Sequence, residues 1–256
     1  LDASLAPAVD HDCRVTVIVP ALNEAENLPH VLPKIPDSVF EVILVDGGST
    51  DGTPDVARSL RPSIRVVSPK RFGKGAALLA GFEAATGDVV ITLDADGSMD
   101  VGEIDSFVAA LRLGADYAKG SRYLPGGGSD DLSPLRALGN ACLVRVVRLL
   151  FRAHFTDLCY GYNAFWKRVL PVLALDCDGF EIETLMNIRA VRAGLTISEV
   201  PSYEHPRIYG DSRLHVVKDG WRVLRTIIRE RLRRGVVAKL EVNRAAAISG
   251  PSTTQT

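Results

Sequence analysis

The chain has 256 residues, 46% hydrophobic and 24% charged, with 22 glycines, 14 prolines and four cysteines. This is ordinary globular composition, sufficient for one sizeable α/β domain, and it excludes a disordered, collagenous or disulfide-scaffold protein. The net charge of −1 conceals an acidic body, 19 Lys/Arg against 27 Asp/Glu over residues 1–206, and a basic segment, 11 against 4 over residues 207–244.

Residues 1–12 carry three aspartates and no basic n-region, so they read as a flexible leader outside the fold. From there, short β-branched runs predict strands at Arg14 to Val19, Phe40 to Val45, Ile64 to Val67, Val89 to Leu93, Ala115 to Lys119 and Ile197 to Val200. Helical patterns fall between them at Glu24 to Leu32, Thr53 to Leu60, Gly75 to Ala85, Val101 to Leu113, Pro134 to Phe151 and Phe180 to Ala193. Strand and helix in turn predict a doubly wound, mostly parallel α/β sheet with its ligand at the carboxyl ends of the strands. The most apolar stretch, Ala141 to Phe151, is interrupted by Arg145 and Arg148, so no bilayer-crossing helix is expected. Cys13, Cys142, Cys159 and Cys177 form no C-x-x-C pair and have no histidine at zinc-ligand spacing, which points to reduced thiols, no structural zinc and a cytoplasmic setting.

Three turns at strand ends carry chemistry. Asp94-Ala95-Asp96 follows a buried-strand pattern, and two carboxylates two residues apart there can reach one hard divalent ion, Mg²⁺ or Mn²⁺, that would bridge the phosphates of a nucleotide-sugar. Asp46 opens the turn Gly47-Gly48-Ser49-Thr50-Asp51-Gly52-Thr53, where a carboxylate can accept from a base or ribose, while Asp51 and Thr53 read as helix caps. Lys74, in Phe72-Gly73-Lys74-Gly75, begins a helix whose free N–H groups suit a phosphate, although the spacing is neither a Walker A loop nor a dinucleotide fingerprint.

With Val17-Ile18-Val19-Pro20-Ala21-Leu22-Asn23-Glu24 placed ahead of these turns, the chain resembles glycosyltransferase family 2, inverting, metal-dependent enzymes of GT-A fold. Gly120-Ser121-Arg122-Tyr123, Thr156-Asp157-Leu158-Cys159-Tyr160-Gly161 and Arg207-Ile208-Tyr209-Gly210-Asp211-Ser212-Arg213-Leu214 resemble its dolichol-phosphate mannose synthase and polyprenyl-phosphate glycosyltransferase branch. The resemblance covers roughly residues 14–232 and departs at Gly47, at Arg213 and at Gly97-Ser98-Met99-Asp100. The last departure leaves the sugar undetermined between GDP-mannose and UDP-glucose types of donor.

The resemblance implies a nucleotide-sugar site made by Pro20, Ala21, Leu22, Glu24, Asp46, Gly48, Lys74, Asp94, Ala95 and Asp96, with Asp94 and Asp96 on the metal. It implies an acceptor-phosphate cradle of Arg122, Arg136, Arg207, Ser212 and Arg213, with Asp96, Arg122 and Glu181 as the catalytic set. A phosphate acceptor needs no base, because its second pKa is near about 6. A hydroxyl acceptor needs a carboxylate, and the candidates are Asp157, Glu181 and Glu183. Glu181, beside Phe180 and the Gly179 turn, is read as substrate-facing, and Glu183 as a first-turn carboxylate favoured by the helix dipole.

The implied reaction moves a hexose to a polyprenyl phosphate. Transfer to a hydroxyl of a soluble or cell-envelope acceptor, and a non-catalytic nucleotide-sugar binding module, stay as alternatives. Residues 13–213 form the expected catalytic domain and 214–235 a basic amphipathic helix, in which Val217, Trp221, Ile228 and Leu232 recur among Lys218, Arg222, Arg225, Arg229 and Arg234. That pattern suits peripheral attachment to an anionic membrane surface, with a helix packed on the core as the other reading. Arg145, Arg148 and Arg152 make a second basic face beside Leu149. Nucleic acid is not an expected partner, since aromatics are 6% and the body is acidic. Homo-oligomerisation is left open, and residues 236–256 read as a partly disordered tail.

Overall fold

The element boundaries follow from where β-branched runs stop and prolines or caps begin. In a computed structural model that describes residues 13–211 and 215–233, the first half alternates strand and helix. It runs β1 (Val15–Ala21), α1 (Leu28–Val31), β2 (Glu41–Asp46), α2 (Thr53–Leu60), β3 (Arg65–Val67), α3 (Lys74–Ala84) and β4 (Val89–Thr92). Then come α4 (Ile104–Arg112), β5 (Tyr117–Ser121), β6 (Gly128–Ser129), α5 (Pro134–Phe151), β7 (Asn163–Trp166) and α6 (Leu170–Leu173). The described chain ends with α7 (Ile182–Arg192), β8 (Ile197–Pro201), β9 (Tyr203–Glu204) and α8 (Val216–Leu232). The leader, Ser212, Arg213, Leu214, Arg234 and the tail lie outside the described residues.

Seven strands pair in the order β3-β2-β1-β4-β7-β5-β8. β1 is parallel to β2 and β4, and β5 is parallel to β8, whereas β7 runs antiparallel to both β4 and β5. β7 is the one strand of this sheet that the sequence pattern does not announce. Its four residues, Asn163-Ala164-Phe165-Trp166, lack an alternating run, and pairing on both edges creates the strand. β6 and β9 form a separate two-stranded parallel ribbon beside the sheet.

The core lies in two layers on either face. Val17, Val19, Leu44 and Ile91 pack towards α1, α2 and α4, and Ile18, Ile43, Val45 and Val90 pack towards α3 and α7. α3 approaches the sheet closely because Gly81 has no side chain; a Cβ there would sit 2.5 Å from Ile18 Cγ2. Two expected helices are shorter than their pattern. Pro29 and Pro33 confine the Glu24 to Leu32 pattern to one α-turn and a 3₁₀ turn over Leu32–Lys34. The Val101 to Leu113 pattern starts as a 3₁₀ turn, Val101–Glu103, capped by the Asp100 carboxylate on the Gly102 N–H.

α8 is fixed to the domain by a buried ionic cluster. The Glu230 carboxylate, fully buried, accepts from Arg189 at 3.0 Å and Arg192 at 3.0 Å, both on α7, and Arg189 also reaches Asp176 at 2.7 Å. Val223 and Ile227 pack beside it against Val147, Leu158 and Ile188. Glu230→Ala leaves the buried Arg189 and the half-buried Arg192 without their shared carboxylate, and a loss of about 3–5 kcal/mol in unfolding free energy is expected, read from urea denaturation. A loss under about 1 kcal/mol would show that the cluster does not hold α8.

Candidate active site

The turns after β1, β2, β3 and β4 emerge at the carboxyl ends of their strands and, with the segment that leads into β7, line one cavity of about 400 Å³. Pro20, Ala21, Leu22 and Glu24 come from the end of β1 and its loop, and Asp94, Ala95 and Asp96 from the end of β4. Lys74 begins α3, and Arg122, Arg136 and Arg207 complete the wall beyond.

Among the described residues, Asp46, Gly48 and Glu181 of the expected site are not on that wall. Asp46 is buried and spends its carboxylate on the amides of Gly48 and Ser49, so it shapes its own turn, and it is Gly47 that lines the cavity. Gly48, with φ of 95°, is a turn residue. Glu181 precedes α7, folds back over Gly179 and does not line the cavity, while Glu183, two residues on, is buried and lines it. The structure thus reverses the expected assignment of these two carboxylates. Ile182 between them is fully buried in the core, which sends its neighbours to opposite sides, and Lys74 Nζ holds Glu183 Oε1 at 2.8 Å.

Lys74 is aimed by a backbone junction. Gly75 N–H donates to Asp178 C=O at 2.8 Å, and a Cβ on Gly75 would sit 2.6 Å from Cys177 C=O. The ammonium then lies between Glu183 and Asp94, whose Oδ1 is 2.9 Å away. Burial alone would depress the Lys74 pKa, but Asp94 and Glu183 hold it above the ordinary lysine value. Burial pushes the Asp94 carboxyl up to about 6, with Lys74 opposing and Asp96 and Glu183 adding to the rise. Asp96 accepts from Ser98 N–H and Oγ–H through one oxygen and from Arg207 at 3.1 Å through the other. Arg207 also pairs with Glu24, and Asn27 fastens the same loop by bonding both Tyr209 N–H and C=O.

Arg122 is not a free phosphate ligand. Its guanidinium is buried, donates to Asp157 at 2.7 Å and 3.0 Å, and meets Glu204 at 2.9 Å. Arg136 is the more open cation, with Asp131 at 2.8 Å and Glu204 at 3.6 Å. Glu204, on the β6–β9 ribbon, is a site residue that the sequence reading missed, since nothing in its local pattern marks it. Asp157, a candidate base, is fully buried in the pair with Arg122 and does not line the cavity. Lys119, also fully buried, donates to Tyr160 C=O at 2.6 Å and fixes the segment after Asp157.

Burial would raise the Asp157 pKa, but the Arg122 hydrogen bonds overcome it and hold the carboxyl below the ordinary value. A depressed native pKa contributes stability above the unfolded-state value, about 3.9, and that contribution is lost as pH falls through the lower native value. Asp157→Asn is therefore expected to cost about 3 kcal/mol near neutral pH and to flatten the fall in stability below about pH 4. Thermal melts from pH 7 to pH 3 check it; an acid limb unchanged from the parent would remove Asp157 from the account.

Comparison with known proteins points the same way. Residues 16–170 match Glycosyl transferase family 2. The chain is 31% identical over 212 residues to glycosyltransferase AglJ of Haloferax volcanii, covering 80% of this chain and 68% of that protein. It is 32% identical over 214 residues to polyprenol monophosphomannose synthase of Mycolicibacterium smegmatis, covering 78% of this chain and 81% of that one. Glucosyl-3-phosphoglycerate synthase of Mycobacterium tuberculosis superposes with a TM-score of 0.68 at 24% identity, over 88% of this chain and 82% of that one. The order of turns along the sheet edge, the cavity they enclose and these matches place the chain in glycosyltransferase family 2, on the GT-A fold.

Proposed function

We propose that the protein is an inverting hexosyltransferase that moves a sugar from a GDP-mannose or UDP-glucose type of donor to a polyprenyl phosphate at a membrane surface. The observation that carries this reading is the continuity of one cavity. It runs from Asp94 and Asp96, past Arg122 and Arg136, to apolar residues of α5 and α8. A relative named for polyprenol monophosphomannose synthesis supports the acceptor.

A divalent cation fits the residues present. Asp94 and Asp96 offer hard carboxylate oxygens side by side on the cavity wall, so a cation held there would take the places of Lys74 and Arg207 and draw its other oxygens from the donor's phosphates, since no group of three such side chains gathers among the described residues. Solved complexes of the glucosyl-3-phosphoglycerate synthase contain Mn²⁺ with UDP-glucose. When bound, Mg²⁺ or Mn²⁺ supplies Lewis-acid stabilisation of the charge on the departing diphosphate.

In the reaction, an acceptor phosphate oxygen forms the new bond to the anomeric carbon as the bond to the donor diphosphate breaks. The nucleoside diphosphate leaves with that electron pair. Lys74 adds positive charge on the donor side, Arg136 faces the incoming phosphate, and Arg122 positions Glu204 and the Asp157 segment around it. The phosphate is already ionised at neutral pH, so no proton has to be removed. A hydroxyl acceptor would need a free carboxylate, and every described carboxylate on the cavity wall is ion-paired.

The outer faces of α5 and α8 favour membrane attachment. Leu135, Leu138 and Leu149 on α5, and Val217, Trp221 and Leu232 on α8, are each at least 60% exposed. Among the described residues no helix is long and apolar enough to cross a membrane.

Release of nucleoside diphosphate from GDP-mannose and UDP-glucose tests the reaction. It is expected to require Mg²⁺ or Mn²⁺ and a short polyprenyl phosphate together, to fall about a hundredfold or more in Asp96→Ala, and to persist in Glu181→Gln. Release indifferent to the lipid phosphate sinks the acceptor assignment. For the surface, vesicles containing phosphatidylglycerol are expected to retain the protein, with retention falling as salt rises and in Trp221→Glu. Equal retention on neutral vesicles removes the electrostatic part of the reading.

A further inference from the structure

Lys119 is a fully buried ammonium that the reaction above does not use. It lies on β5 behind the cavity wall, where it donates to Tyr160 C=O at 2.6 Å and to Gly120 C=O at 3.2 Å. The carboxylates whose charge supports it, Asp157 and Glu183, are already held by Arg122 and Lys74. A charge withdrawn from water and met directly by carbonyl oxygens is costly. Strand pairing does not call for it, since the backbone of β5 is already paired with β7 and β8.

The peptide on which Lys119 is seated opens onto the cavity. Gly161 lines the wall, and its C=O accepts from Thr92 Oγ–H at 2.7 Å and from Asn163 Nδ2–H at 2.9 Å, whereas its N–H meets no acceptor among the described residues. The Tyr160–Gly161 peptide is trans, so its N–H points opposite to its C=O, away from Lys119 and towards the cavity. A Cβ on Gly161 would sit 2.6 Å from Glu183 Oε1 and 2.9 Å from Lys74 Nζ, so only glycine lets this pair lie against the peptide. Lys74 there faces two carboxylates, Asp94 and Glu183, which leaves the stretch one positive charge short. Lys119 supplies that charge from behind.

We propose that the Tyr160–Gly161 peptide is an anion-recognition element of the cavity, its N–H donating to a phosphate oxygen of a bound substrate while Lys119, seated on its carbonyl, aims and polarises it. Lys119 touches no substrate and is a positioning residue. A cation on the carbonyl strengthens the opposite N–H as a donor, and a donor fixed in a water-poor wall needs no reorientation when the anion arrives. The proposal deepens the reading of the site given above and rests on it for the phosphate. That phosphate belongs to the donor diphosphate or to the acceptor, and the two arms of the test tell them apart.

The full chain, isotope-labelled at tyrosine carbonyls and glycine nitrogens, shows by carbonyl-filtered NMR only the amides of Gly161 and Gly210, the glycines that follow tyrosine, and Tyr209→Phe removes the second. GDP and UDP with Mg²⁺ form one arm, and farnesyl phosphate below its micelle concentration the other. The Gly161 amide proton is expected to move downfield with the ligand whose phosphate it meets. Lys119→Met is expected to abolish that shift and to weaken the same ligand about tenfold or more by titration calorimetry. Lys119→Gln keeps an N–H for Tyr160 C=O without the charge and is expected to lose as much affinity; parent affinity in it would reduce Lys119 to a tether and overturn the proposal. It also carries the test if Lys119→Met does not fold.

A Gly161 amide unmoved in both arms overturns the proposal, as does unchanged affinity for every ligand in Lys119→Met. If Gly161 responds but no sugar reaches a polyprenyl phosphate, the proposal stands and the acceptor reading falls. If sugar is transferred and Gly161 does not respond, the acceptor reading stands and the proposal falls.

Discussion

The cavity depends on charge neutralisation inside a poorly solvated wall. A carboxylate withdrawn from water costs several kcal/mol unless a cation or hydrogen-bond donors meet it, and this wall gathers carboxylates from β4, α7, β9 and the loop after β1. Lys74, Arg122, Arg136 and Arg207 meet them, each delivered by a different segment. The site is thus a set of cross-links between segments distant in sequence. In the proposed reaction a donor and an acceptor, both anionic, would enter a wall whose positive groups are already in place and whose pairs have only to exchange partners.

The same rule organises the far side of the domain. Glu230 on α8 is fully buried only because Arg189 and Arg192 on α7 converge on it. α7 therefore joins two ionic centres, Glu183 near its start and Arg189 and Arg192 near its end. Its middle residues, Leu185, Met186 and Ile188, are fully buried. A helix fixed at both ends and packed along its length holds the cavity wall and α8 in one rigid relation, which is what a site shared between them requires.

Much of this was legible in residue type and position. The β-branched runs of β1, β2 and β4 mark strands, and Asp94 and Asp96 are conspicuous because carboxylates directly follow a buried run. The prolines that shorten α1 are equally visible. The illegible parts are those decided by partners far away in sequence. β7 exists because β4 and β5 leave a gap with two bonding edges, and its own four residues do not specify it. The choice between Glu181 and Glu183 turns on Lys74 and on the burial of Ile182, neither of which local spacing contains. Arg122 is conspicuous in its motif, but its guanidinium is already taken up by Asp157 and Glu204, partners far away in sequence.

α8 shows how one short sequence serves three surfaces. Its only acidic residues, Asp219 and Glu230, are both buried, Asp219 accepting from the His215 N–H at 2.9 Å and Glu230 holding the arginines of α7. Its basic residues Lys218, Arg222, Arg225, Arg229 and Arg231 are all exposed. Sorting acids inward and bases outward leaves an outer face of one sign, interleaved with Val217, Trp221 and Leu232, and core packing alone gives no reason for that separation. A helix merely covering the core would gain from mixed charges on its solvent face, through i,i+4 pairs and solubility. A uniform positive face carrying exposed apolar side chains instead costs self-repulsion and exposed hydrocarbon. Both costs would be recovered against an anionic, partly apolar surface, the one the proposed polyprenyl phosphate acceptor would share.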